Sequence, residues 1–137
     1  MRDGHLPLMA ATYVDSGRQM INFREVRTPV QFVSVPDFPG GKPTGGSTLE
    51  CPPFAYGELG AWRDRVGVSP YYPDCTMTIG ETTLGRPVPQ PASPEVKAHR
   101  KANDERGMGL ALIGRLLKSC LDLGIEPAGL EASVARA

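Results

Sequence analysis

The chain has 137 residues, the size of one domain, and a chain of this length buries roughly two thirds of its unfolded surface without staples. Fifteen basic residues balance fifteen acidic ones, so the net charge does not mark out a binder of nucleic acid or of an anionic membrane. Three cysteines (Cys51, Cys75 and Cys120) without repeated spacing argue against a secreted disulfide framework, and no apolar run approaches the ~20 residues that a membrane span needs.

Glycine and proline stand out, with 16 and 14 copies concentrated in two places. That distribution reads as long loops and a linker rather than general disorder. Arginine outnumbers lysine eleven to four, a bias that accompanies GC-rich bacterial or phage genomes. The opening Met1-Arg2-Asp3-Gly4-His5 is too polar, and the apolar stretch after it too short, for a signal peptide. The expected location is the cytoplasm, or a virion if the gene is phage-borne.

Leu8 to Val14 and Gln19 to Val26 read as two strands joined by the turn Asp15-Ser16-Gly17-Arg18, because turn residues between apolar segments are a hairpin signal. Val30 to Val35 reads as a further strand, with Pro29 marking its start or an edge. Residues 36–48, PDFPGGKPTGGST, hold three prolines and four glycines and form a long loop. A short helix is expected over 53–66, with Ala55, Leu59, Trp62 and Val66 on one face. Cys75 to Ile79 and Thr82 to Leu84 flank Gly80-Glu81, the pattern of a type II′ hairpin.

Residues 86–93 form a Pro-rich linker, set between a β-rich core over 1–85 and a helical arm over 94–124, with 125–137 as a tail. Ser93-Pro94-Glu95 supplies an N-cap, a proline at the first helical position and an acid in the first turn. A polar helix should run from Pro94 to about Arg106, broken or bent by Gly107-Met108-Gly109. Leu110 to Leu123 is the strongest amphipathic segment, with eight apolar residues on one half of the cylinder, stopped by Gly124 and Pro127. The expected fold is α+β: a small antiparallel sheet of hairpins, then a C-terminal helical pair on a Pro-rich linker.

No motif reaches a named chemistry. Gly40-Gly41-Lys42-Pro43 lacks the serine or threonine and the helix that a phosphate loop requires. The cysteines and the two histidines lack metal-ligand spacing, and Cys51 is followed by two prolines. Cys75 beside Asp74, with His99 elsewhere, is the best nucleophile pair available, but His99 lies among charged residues where a solvated histidine is ordinary. No GxSxG elbow occurs, and Glu95, Asp104 and Glu105 read better as helix ion-pair partners than as an acid–base pair. No cofactor, metal or catalytic residue is therefore expected.

Three surfaces remain. Tyr56, Trp62, Tyr71 and Tyr72 belong to an aromatic segment suited to a protein or small-molecule partner. Leu110, Ile113, Leu116, Leu117 and Leu121 form a face suited to self-association. Lys97, Arg100, Lys101 and Arg106 give the polar helix a basic side, the basis of an alternative reading as a nucleic-acid binder. The favoured expectation is a non-catalytic binding or assembly protein, self-associating, such as a phage or bacterial accessory protein: a virion subunit or an inhibitor of a host or defence factor.

Overall fold

The structure is a computed structural model that describes residues 5–35, 48–68, 70, 75–85, 88–125 and 127. The fold is α+β, with three α-helices and two small antiparallel ladders among these residues. Helix α1 spans His5–Arg27, α2 Pro94–Ala102 and α3 Met108–Asp122. Strand β1 (Val33–Ser34) pairs with β2 (Leu49–Glu50), and β3 (Phe54–Ala55) pairs with β4 (Glu105–Arg106). Neither ladder is a tight hairpin, since β3 and β4 lie at opposite ends of a long excursion of chain.

The N-terminal hairpin expected over residues 8–26 is replaced by α1. Asp15-Ser16-Gly17-Arg18 stays helical, although Gly17 costs about 1 kcal/mol there relative to alanine. Pro7 falls in the first turn, where a backbone N–H has no helical partner to lose. At the other end the Thr28 hydroxyl donates to the Arg24 carbonyl at 2.6 Å and accepts from the Val30 amide at 3.2 Å, turning the chain at Pro29. Arg24 and Arg27 lie in the last turn, where cations suit the helix dipole.

Further on, Tyr56–Arg65 is 3₁₀ helix rather than one α-helical face, broken at Gly60 (φ 56°, ψ −130°). Ile79–Glu81 is a 3₁₀ turn in place of the II′ hairpin, fixed by the Thr78 amide donating to the Glu81 carboxylate. The polar helix stops at Ala102, four residues short of its expected end. Asp104 then takes φ 47°, reversing the chain so that Glu105 and Arg106 join β3. At its start the Ser93 hydroxyl accepts from the Val96 amide at 3.3 Å, the cap read from Ser93-Pro94-Glu95. Most of the expected 36–48 loop, and residues 126 and 128–137 of the tail, lie outside the described residues.

The core gathers Val30, Cys51, Phe54, Tyr56, Leu59 and Ala111, with Leu110, Leu112, Leu116, Leu117 and Leu121 of α3 packed against it. It thus draws on both the segment before residue 67 and the helices that sequence reasoning sets apart as an arm. Helix α3 lies against the 3₁₀ segment, β3 and β2. Arg115 ties α3 to two other segments: its guanidinium donates to the carbonyls of Pro29 (2.9 Å), Pro52 (3.3 Å) and Pro53 (3.4 Å). Gly124, at φ 70°, ends the helix as its sequence position implies.

Candidate interaction surface

Each expected surface can now be placed. Tyr56 is fully buried, its hydroxyl donating to the Leu110 carbonyl at 2.8 Å and its ring 6.0 Å from that of Phe54. It is a core residue, with no atom left for a partner. Burial pushes its phenol up to about 12. Trp62 is half-buried against the core, with the Arg65 guanidinium 4.3 Å above its ring. Tyr71 and Tyr72, with Asp74, lie outside the described residues.

The basic side of α2 is divided. Arg100 is committed to the fold: it pairs with Glu81 at 2.9 Å and donates to the Thr76 carbonyl at 3.0 Å, with both charged side chains about nine-tenths covered. Arg106 is buried, its guanidinium 3.9 Å from the Tyr56 ring centre and hydrogen-bonded to Asp104 at 3.0 and 3.2 Å. Only Lys97 and Lys101 of the four face solvent. They line a cavity of about 600 Å³ together with Cys75, Asp104 and Glu105, so two cations and two carboxylates share its wall. Such a balanced lining offers little attraction to a polyanion.

The face of α3 is also mostly used internally. Leu110, Leu116, Leu117 and Leu121 pack on the chain's own core, which removes the surplus apolar area that suggested an outside partner. Ile113 alone of the five is exposed, at 49%.

Uncovered apolar surface lies instead on α1, which sequence reasoning took for two strands. Leu8, Met9, Tyr13, Val14, Met20, Phe23 and Val26 are all exposed there, Tyr13 to 81%. A cavity of about 880 Å³ runs along the helix, lined by Met9, Tyr13, Met20 and Ile21 and by Leu49 of β2. Little in the sequence points to this surface, because the apolar residues of α1 are spread around the helix and a turn-like tetrapeptide sits in its middle.

Among the described residues no helix is long and apolar enough to cross a membrane, and no group of three or more His, Cys, Asp or Glu is gathered as metal ligands. Burial raises the Cys51 thiol, which keeps it protonated in the core. Comparison with protein-family models, with curated proteins and with solved structures finds no match to this chain. The functional reading therefore rests on the chain's own chemistry.

Proposed function

We propose that this chain is a non-catalytic protein-binding and assembly protein that self-associates, in the manner of a phage or bacterial accessory protein working in the cytoplasm or in a virion. The observation that supports this reading is α1: a 23-residue helix with seven large apolar side chains left in water. Large apolar side chains left uncovered along one element are a common mark of an association surface. The balanced lysine–carboxylate lining of the α2 cavity and the internal use of Arg100 and Arg106 weigh against the nucleic-acid alternative.

Size-exclusion chromatography with light scattering, read with the ratio of absorbance at 260 and 280 nm, tests the reading. A protein-only dimer or larger species is the expected result. A monomer at every concentration would sink it. Co-eluting nucleic acid would transfer the function to Lys97, Lys101 and the basic alternative.

A further inference from the structure

The cavity of about 600 Å³ beside α2 has the size of a small-molecule site, and its wall carries a thiol, Cys75, together with two ammoniums, Lys97 and Lys101. The two lysines stand four residues apart on α2, about one helical turn, so both rise from the same side of the helix. Neither has an ion pair or a side-chain hydrogen bond among the described residues. The carboxylates of the same wall are already engaged. Asp104 accepts from Arg106 at 3.0 and 3.2 Å and lies 3.5 Å from the Arg63 guanidinium, while Glu105 lies 3.5 Å from the His99 ring. The charges of the wall balance, yet those without a partner are the two cations. Arg106 stands behind the wall. Its side chain is nine-tenths covered, and Asp104 takes Nε and Nη2, which leaves Nη1 buried, turned away from that carboxylate and without a hydrogen-bond partner. The Gly107 amide donates to the Cys75 carbonyl at 2.6 Å, so the segment that carries the thiol runs beside Arg106, and a charge on Cys75 is felt at the guanidinium. An unsatisfied buried donor costs stability until an acceptor meets it, and thiol–disulfide exchange places negative charge on sulfur.

We propose that Cys75 is a thiol-modification site for low-molecular-mass disulfides that bear carboxylates, with Lys97 and Lys101 holding those carboxylates. In the exchange the Cys75 thiol gives its proton to solvent and its sulfur attacks one sulfur of the disulfide. The incoming S–S bond breaks, one half stays on Cys75 as a mixed disulfide, and the other leaves as a thiolate that takes up a proton. The small disulfide is reduced as Cys75 is oxidised, so the step needs no further redox partner. The other two cysteines lack this setting. Cys51 is buried in the core, and Lys118, two residues from Cys120, is already paired with Asp122. The site is separate from α1 and stands or falls independently of the assembly reading.

The test compares two small disulfides of matched length on the native full chain: dithiodipropionate, which carries two carboxylates, and cystamine, which carries two ammoniums. Peptide mapping by mass spectrometry reads the rate of adduct formation at each cysteine. The same measurement is made on Lys97→Gln/Lys101→Gln, whose substituted side chains are exposed, with near-UV circular dichroism to check that the core stays packed. Cys75 should react about fivefold faster with dithiodipropionate than with cystamine, the worth of one exposed ion pair, and the double variant should lose that preference. The ratio at Cys120 should be the same in both proteins. No adduct at Cys75, an equal or faster reaction there with cystamine, or a preference that survives in Lys97→Gln/Lys101→Gln would each overturn the proposal.

Discussion

Tyr56 shows how one side chain serves several needs of this fold. Its ring fills the core, its hydroxyl satisfies the Leu110 carbonyl, and its face neutralises part of the cost of burying Arg106. Because its phenol is raised to about 12 from the ordinary value near 10, folding favours the neutral form. That contribution is complete below pH ~10 and is lost as pH climbs through the folded value. The urea midpoint should therefore fall between pH 10 and 12, and a Tyr56→Phe variant should show a shallower fall. At neutral pH the same variant should lose about 1 kcal/mol, the worth of one buried hydrogen bond, as read by urea unfolding. Glu81 is the other decisive residue. Glu81→Gln leaves the Arg100 guanidinium covered without its counter-charge, and a loss of about 3 kcal/mol is expected from breaking such a pair.

At the scale of the element, the approach of α3 to β3 is set by Gly114. A Cβ there would stand 2.6 Å from Phe54 Cδ1 and 3.0 Å from Tyr56 Cε2. Gly114→Ala should therefore destabilise the protein by about 1–3 kcal/mol, despite alanine's better helix propensity, and the loss should appear in thermal unfolding. The elements legible in the sequence were those with local chemistry: the Ser93 cap, the half-apolar cylinder of α3 and its Gly124 stop. The illegible ones had either competing local signals or none. Asp15-Ser16-Gly17-Arg18 reads as a turn wherever it stands, and the apolar residues around it keep to no single helical face. Nothing near Phe54 or Arg106 announces that the two will be neighbours in a ladder, because that pairing is decided by packing between distant segments. The same reason misplaced the candidate surface, since Tyr56 and the α3 leucines look available until the core that covers them is known.

Over the whole molecule, the core and α1 should answer differently to perturbation. The core joins residues 30–59 to Arg106 and α3, so Trp62 fluorescence and the near-UV signal should report a single coincident urea transition. Helix α1 lies outside that core, and an isolated helix of its length is marginal in water. Its share of the far-UV helical signal should therefore be lost at lower urea than the near-UV signal of the core.

The β3–β4 ladder has a consequence for synthesis. Phe54 and Tyr56 are made early but find their partners only when Arg106, Ala111 and the leucines of α3 have been added. About fifty residues of chain must close before the pairing of β3 with β4 is rewarded, which makes that step slow as well as late. The apolar side chains of β3 and of the segment after it thus stay uncovered on the growing chain until α3 is made, which makes that stretch of synthesis the one most prone to aggregation.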